Sequence, residues 1–367
     1  MFTKIHAPFQ PLLKFADGRA VASPADWPAR RREIRAIIEK HCFGTMPKMA
    51  LRNDPAMLTP LKPTAHYEWD GTANAIYTQY QTRPFAGSEF ELTFEVYLPT
   101  QKSDKPFPAL ICGDGGWMRA TPDYVRLTTS RGYALVVFNR TQAFPDFMLG
   151  GGVGTLPPES ALERMFPKHK FTAIASWAWG FSRIMDALAY IPAIDFARVA
   201  VCGHSRGGKA SLLAGALDTR FAAVFSNNSG MGGAGSLTHE GEGTETIGAN
   251  TALFPNWFAP KFGTYAGNES TLPFDFHFVK ALCAPRPLLC TEAMRDPWAN
   301  TEGTAASTAE ARQVWRFLGA PEQFCGIRFR NGVHGHFLGD WEAMFDFADY
   351  ALYNKAIPWD PTYTPYG

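Results

Sequence analysis

The sequence predicts an α/β protein in which helices flank both faces of a mostly parallel central sheet, a three-layer sandwich. Short apolar runs alternate with helix-like segments through most of the chain, as in parallel sheets. Hydrophobic residues make up 46% of the 367 residues, which is enough to bury a substantial core. One β-branched run, Val199-Ala200-Val201-Cys202, leads through a glycine-flanked serine into an alanine-rich segment.

That glycine-flanked serine lies in Gly203-His204-Ser205-Arg206-Gly207. A strand, a Gly-x-Ser-x-Gly turn and a helix in this order are typical of the nucleophile elbow of the α/β-hydrolase fold. The small residues two before and two after the serine keep strand and helix from colliding. The pattern therefore predicts an α/β-hydrolase fold with Ser205 as catalytic nucleophile, and the alternative is a structural serine at a helix N-terminus.

The elements are predicted in chain order. Residues 1–70 form an N-terminal arm with a helix that begins near residues 23–27, and its arginine run is interpreted as a solvated helix face. Residues 71–367 form one catalytic domain, which starts with an antiparallel pair of strands at a sheet edge. Those two strands and the mostly parallel strands after them are predicted at residues 75–80, 90–98, 108–112, 134–138, 199–202, 222–225, 287–290 and 326–329. The loops 113–116 and 292–300 then converge at the carboxyl ends of the strands, where such sheets bind ligands.

Composition limits the partners and the compartment. Lys plus Arg number 35 and Asp plus Glu 34, which argues against nucleic acid or an anionic membrane surface as partner. The six cysteines lie in or beside apolar runs and are predicted to be reduced. The N-terminus lacks the apolar region of a secretory signal, which favours the cytoplasm, or a secreted or periplasmic location if the sequence is a trimmed form. The oligomeric state stays open.

A serine nucleophile needs a base and an acid, which follow it in the order acid, histidine in α/β-hydrolases. Asp296, in the loop after a predicted buried strand, is the expected acid, and Glu292 competes with it. After the last strand, Gly332-Val333-His334-Gly335-His336 offers two histidines, of which the glycine-flanked His334 is the expected base. A metal pair of the two histidines is the weaker interpretation, because no further ligands stand at zinc-like spacing.

Around these residues the chain resembles the glucuronoyl esterases of carbohydrate esterase family 15, particularly their bacterial branch. The elbow Gly203-His204-Ser205-Arg206-Gly207-Gly208-Lys209 is far more specific than Gly-x-Ser-x-Gly alone. The resemblance covers most of the chain, and its other motifs are Asp26-Trp27 with Arg31-Arg32-Glu33-Ile34, Phe43-Gly44-Thr45-Met46-Pro47, Trp177-Ala178-Trp179-Gly180 with Arg183 and Asp186, Phe254-Pro255-Asn256-Trp257-Phe258, Pro273-Phe274-Asp275-Phe276-His277 and Ala284-Pro285-Arg286-Pro287.

The resemblance implies further site residues. It implies that Arg206 supplies two hydrogen-bond donors to the oxyanion, its backbone N–H and its guanidinium. The simpler interpretation is a surface arginine that pairs with a carboxylate. The resemblance implies that Lys209 binds hydroxyls of the uronate sugar, although a solvated helix lysine is the simpler reading. It makes Trp298 a wall of the sugar pocket and Glu245 an acceptor for sugar hydroxyls, while the neighbouring Glu242 leaves the register open.

One segment departs from the family pattern. Many members place the triad acid as a glutamate after the strand that follows the nucleophile helix, yet residues 225–233 contain no carboxylate. The acid role then falls to the position of Asp296, as in part of the bacterial branch.

The resemblance implies a serine carboxylic-ester hydrolase that cleaves (4-O-methyl-)glucuronoyl esters of xylan side chains through an acyl-enzyme, without metal or cofactor. The substrate is then a small-molecule or oligosaccharide uronate ester. The alternatives are an acetyl-xylan or general short-acyl esterase and a non-catalytic carbohydrate-binding descendant.

Overall fold

The computed structural model describes residues 2–47, 57–71, 73–85, 87–116, 121–148 and 160–366. The strands are β1 (Lys4–Ile5), β2 (Leu58–Pro60), β3 (Ala65–Trp69), β4 (Ala73–Thr82), β5 (Leu92–Pro99), β6 (Phe107–Cys112), β7 (Ala134–Phe138), β8 (Ile194–Cys202), β9 (Ala223–Asn227), β10 (His239–Glu240), β11 (Leu288–Ala293) and β12 (Cys325–Arg330). The helices are α1 (Trp27–Ile38), α2 (Pro122–Ser130), α3 (Ala161–Met165), α4 (Ala173–Leu188), α5 (Arg206–Leu217), α6 (Ile247–Leu253), α7 (Pro260–Gly263), α8 (Phe276–Ala281), α9 (Thr301–Phe317) and α10 (Leu338–Tyr353).

The described strands form one large mixed sheet of ten and a small pair, β1 with β10. The large sheet has the order β12-β11-β9-β8-β6-β7-β5-β4-β2, and β3 also pairs with β4. The six strands from β12 to β7 are parallel to one another, and β5, β4, β2 and β3 continue the sheet in antiparallel pairs. The predicted parallel sheet and the predicted antiparallel pair β4 and β5 are therefore confirmed.

The sheet is covered on both faces because side chains of a strand alternate between them. In β6, Ile111 packs into a core with α1, α4, α5, α8 and α9, whereas its neighbour Leu110 packs against α2 and α10 on the other face. Val201 and Cys202 at the end of β8 divide in the same way. Burying each such aliphatic side chain contributes about 1.5–3 kcal/mol, so the elbow that follows β8 starts from a firmly held strand.

Two expectations about the N-terminal region are wrong. The arginines of α1 do not form a uniformly solvated face: Arg32 is exposed, but Arg30 is buried and donates to the carbonyls of Leu12 and Pro11 at 2.9 and 3.0 Å. Arg31 likewise donates to the carbonyl of Ala216 at 2.7 Å, near the end of α5. The antiparallel pair is also not the sheet edge, since β2 and β3 flank β4. These two strands come from the predicted arm, and the domain boundary at residue 70 stays a prediction.

All six cysteines are buried and carry free thiols, as the apolar runs around them predict. In the part of the chain that the structure describes, none of the helices combines the length and the apolar character that crossing a bilayer requires.

Candidate active site

The elbow is a sharp backbone turn centred on Ser205. Ser205 has φ 54° and ψ −122°, a conformation that L-residues rarely adopt and that points to a functional constraint. A Cβ on Gly203 would lie 2.2 Å from the carbonyl oxygen of Gly207, and a Cβ on Gly207 would lie 2.0 Å from Asp114 Oδ1. Both positions therefore require glycine, which is the physical reason for the Gly-x-Ser-x-Gly pattern.

The loop after β6 holds the elbow in place. Asp114 is buried, and its Oδ2 accepts the backbone N–H of His204 at 2.8 Å. Its Oδ1 pairs with the guanidinium of buried Arg140. The loop 113–116 thus reaches the elbow, as predicted, through the charge-assisted hydrogen bond of Asp114. Gly113 itself faces the ring of Phe181.

The expected base and acid lie together. His334 Nδ1 is 2.5 Å from Asp296 Oδ2, a short hydrogen bond to a carboxylate. Asp296 is buried, whereas the His334 side chain is 43% exposed. His334 and Ser205 both line the same cleft, so the imidazole faces the space above the elbow. His204 packs beneath, with its ring centroid 4.5 Å from that of His334.

The two competing residues lie elsewhere. Glu292 is fully buried on β11, and no described residue donates a hydrogen bond to either carboxylate oxygen. Burial raises its pKa well above the usual range, which favours the neutral form of this carboxyl group. His336 is also buried and stacks between His204 and Trp341, and burial lowers its pKa well below the usual value.

Arg206 has its guanidinium in the cleft wall, where it is held from several sides. Its Nη1 donates to Asp146 Oδ2 at 3.0 Å, and the guanidinium carbon lies 4.8 Å from the ring centroid of Trp257 and 4.9 Å from that of Phe254. Asp146 also accepts the indole N–H of Trp257 at 3.2 Å. The ion pair expected as the simpler interpretation of Arg206 is present, yet it lies in the cleft wall.

Lys209 and Glu245 form a buried pair that also lines the cleft. Lys209 Nζ donates to Glu245 Oε1 at 2.8 Å, to the carbonyl of Ser229 at 2.6 Å and to the carbonyl of Met231. Burial lowers the pKa of Lys209 and raises that of Glu245, and their mutual attraction opposes both shifts. All three ammonium hydrogens therefore have protein acceptors, an outcome that a sugar-binding lysine does not predict.

Glu245 is joined to the remaining predicted site residue. Its backbone N–H donates to the carbonyl of Trp298 at 3.1 Å, and its Oε2 accepts the amide of Asn250. Glu242, the alternative register, is exposed and does not line the cleft. Trp298 is 43% exposed at the cleft mouth, which has the solvent-facing aromatic surface on which sugars stack. The cleft has a cavity volume of about 50 Å³, and its lining residues are Ser205, Arg206, Lys209, Asn228, Glu245, Phe254, Trp257, Trp298, Ala299 and His334.

Comparison with known proteins identifies this arrangement. The family profile described as glucuronyl esterase, fungi, matches residues 84–319, more than half of the chain. A 4-O-methyl-glucuronoyl methylesterase of Wolfiporia cocos is 30% identical over 332 residues, which are 88% of this chain and 75% of that enzyme. The chain belongs to the glucuronoyl esterase family.

Two further relatives place it within that family. The carbohydrate esterase MZ0003 of an unknown prokaryotic organism is 41% identical over 199 residues, which cover 50% of this chain. The match spans 46% of that relative, about half of its length. The family 15 glucuronoyl esterase of Caldicellulosiruptor kristjansonii superposes with a TM-score of 0.79 and 27% identity over 98% of this chain and 94% of the other. The predicted α/β-hydrolase fold and the resemblance to the glucuronoyl esterases are confirmed.

The segment that departs from the family pattern contributes an amide. Asn228 follows β9 with φ 43°, and its Nδ2 donates to Asp296 Oδ2 at 2.9 Å, the oxygen that also faces His334. Asn228 and Asp146 were not predicted from the sequence. The available signal was their position, since both follow a strand at the carboxyl edge of the parallel sheet. Within the described residues, no group of three or more His, Cys, Asp or Glu side chains is arranged to hold a metal ion.

Proposed function

We propose that this glucuronoyl esterase is a serine carboxylic-ester hydrolase that cleaves (4-O-methyl-)glucuronoyl esters through an acyl-enzyme. The observation that carries the proposal is the 2.5 Å contact of His334 Nδ1 with Asp296 Oδ2 in a cleft shared with Ser205. A histidine held at Nδ1 has its second ring nitrogen available for the serine hydroxyl, which is the arrangement of a catalytic triad.

In the acylation step, Ser205 Oγ attacks the C6 carbonyl carbon of the uronate while His334 takes the hydroxyl proton. Asp296 holds the imidazole tautomer and stabilises the imidazolium, and His334 then gives the proton to the departing alcohol oxygen. Water repeats the sequence on the acyl-enzyme: His334 takes a proton from the water, the acyl C–O bond to Ser205 breaks, and Ser205 recovers its proton. The products are the free uronate and the alcohol.

Arg206 stabilises the negative oxygen of both tetrahedral intermediates. Its backbone N–H follows the nucleophile at the start of α5, where peptide dipoles favour negative charge. Its guanidinium adds a charged donor, and the contacts with Asp146 and Trp257 hold it in the cleft wall before substrate arrives.

The sugar is bound beside Glu245 and Trp298. Glu245 accepts hydrogen bonds from sugar hydroxyls, and Trp298 packs against the ring. Lys209 acts through Glu245: its ammonium holds and orients Oε1, and its charge opposes the rise that burial causes in the pKa of Glu245. The uronate ester is either a small molecule or the side chain of a xylan oligosaccharide.

The test is turnover of methyl and benzyl D-glucuronate by the parent protein beside Ser205→Ala. Loss of turnover in the variant with retention in the parent supports the proposal. Faster hydrolysis of acetylated sugars or p-nitrophenyl acetate than of the uronate esters would favour a short-acyl esterase instead. Xylan binding without any turnover by the parent would favour a non-catalytic carbohydrate-binding protein, and turnover retained by Ser205→Ala would refute the nucleophile.

A further inference from the structure

The loop that carries His334 is held by hydrogen bonds from one side chain, that of Arg330 at the end of β12. Arg330 Nη2 donates to the carbonyl of Val333 at 2.9 Å and to the carbonyl of Gly335 at 2.8 Å. These two carbonyls flank His334 on either side. A Cβ on Gly332 would lie 2.2 Å from Arg330 Nη1, so the guanidinium lies against this glycine inside the loop.

The guanidinium is itself fixed in orientation. Its Nε donates to both carboxylate oxygens of Asp340 at 2.9 Å, and its carbon lies 4.7 Å from the ring centroid of Phe337. Asp340 is buried in the first turn of α10 and also accepts the backbone N–H of Phe337 at 2.9 Å. Because the guanidinium is planar and Asp340 holds one edge of it, its remaining N–H donors point in fixed directions. The flexible ammonium of a lysine would not fix its donors in this way.

The His334 ring has few contacts of its own. It is 43% exposed, its Nδ1 contacts Asp296, and the ring of His204 packs beneath it. Val333 and Phe337 on either side are exposed by 54% and 50%, whereas the buried ring of His336 anchors the loop against Trp341. The two carbonyls that flank His334 therefore take their direction from the guanidinium, and displacement of a catalytic group by about 1 Å costs about 100-fold in rate.

We propose that Arg330, oriented by Asp340, is a positioning residue that sets the height and direction of the His334 imidazole over Ser205. This inference rests on the proposed function, because it assigns Arg330 a part in presenting the catalytic base. Arg330 touches neither substrate nor reacting atoms; it acts through the two carbonyls that flank the base.

The kinetic test compares Arg330→Met with a matched control, Arg312→Met. Arg312 lies on α9 and also donates to two backbone carbonyls, that of Cys325 at the start of β12 and that of Pro361. For benzyl glucuronate we expect Arg330→Met to lower kcat about 100-fold with KM changed less than about twofold, and Arg330→Lys to recover part of the loss. We expect Arg312→Met to lower Tm and keep kcat. Arg330→Met with parental kcat, or equal kcat losses in both methionine variants, would overturn the proposal.

A second pair of measurements covers failure to fold, and the NMR measurement needs no turnover. Asp340→Asn keeps the acceptor oxygen for Arg330 but loses its charge, and we expect a smaller kcat loss than in Arg330→Met. In proton NMR of the parent, we expect a far-downfield signal from the hydrogen between His334 Nδ1 and Asp296. We expect this signal to shift or broaden in Arg330→Lys and Asp340→Asn and to persist in Arg312→Met; an unchanged signal in both would refute the positioning role. An inactive parent that shows the expected NMR pattern would instead refute the proposed function alone.

Discussion

Exchanging the carboxylates of Asp296 and Glu292 for amides, one at a time, separates catalysis from stability. The two residues lie four positions apart in the sequence, yet their surroundings are opposite. Asp296 Oδ2 receives His334 Nδ1 and Asn228 Nδ2, whereas no described residue donates to Glu292. Asp296→Asn therefore removes the charge that the proposed base requires, and Glu292→Gln removes a carboxyl group whose ionised form burial destabilises.

The magnitudes follow from these contacts. An asparagine at position 296 offers an N–H where two donors already point, which forces either a clash of donors or the wrong histidine tautomer. We expect kcat to fall about 10⁴-fold, the cost of the equivalent change in other serine hydrolases. Glu292→Gln keeps shape and burial, so we expect kcat within about twofold of the parent.

The effect of Glu292→Gln on stability has a definite sign. Burial holds the pKa of Glu292 above its unfolded value of 4.5, so the folded chain keeps a proton that the unfolded chain releases. The parent therefore loses stability as pH rises from 4.5 towards the folded pKa, at about 1.4 kcal/mol per pH unit. The glutamine variant lacks this loss, and its advantage is largest above that window.

The assay is urea unfolding of parent and variant at pH 4 and pH 8, together with benzyl glucuronate turnover at pH 8. We expect the free energy of unfolding of Glu292→Gln to exceed that of the parent by more at pH 8 than at pH 4. Turnover lost in Glu292→Gln and kept in Asp296→Asn would refute the assignment of the acid, and equal pH dependence in both proteins would refute the buried neutral state.

Three further outcomes are expected. Asp146→Asn lowers kcat about 10-fold with little change in KM, because Arg206 loses its charged anchor; an unchanged kcat in initial-rate kinetics contradicts this. Trp298→Ala raises KM for the uronate ester about 2- to 10-fold at similar kcat, and a KM equal to that of the parent argues against ring packing there. Burial lowers the pKa of His204 and of His277 to about 4, below the unfolded value of 6.5, so each contributes about 3 kcal/mol above pH 6.5 that is lost as pH falls through 4. Urea midpoints that stay constant from pH 7 to pH 4 would contradict this last expectation.

The parts of the fold and site that depend on local sequence were predictable. The elbow is encoded within one short segment, since Gly203 and Gly207 are required by contacts with the turn itself and with one neighbouring loop. The parallel strands were predictable because each is a short apolar run whose side chains are buried on both faces. The ester hydrolase family was evident from the residues that follow Ser205.

What escaped prediction depends on partners remote in the sequence. The carbonyls that accept hydrogen bonds from Arg30 belong to residues 11 and 12, and the carbonyl that accepts from Arg31 belongs to residue 216. The arginine run itself does not indicate these distant acceptors. Lys209 has the residue type of a sugar ligand, but three acceptors from residues 229, 231 and 245 surround it. Asp146 lacked a sequence signal beyond its place after a strand, because its partner Arg206 is 60 residues away.

Labelling of the six buried thiols can measure how the protein unfolds. Burial raises the pKa of thiols such as Cys42 and Cys202, so native protein reacts slowly with an alkylating reagent. Mass spectrometry then counts how many labels each chain has taken up. Chains with no label or with six labels indicate all-or-none unfolding. Labels confined to Cys290 on β11 and Cys325 on β12 indicate separate opening of the sheet edge that carries the proposed acid and base.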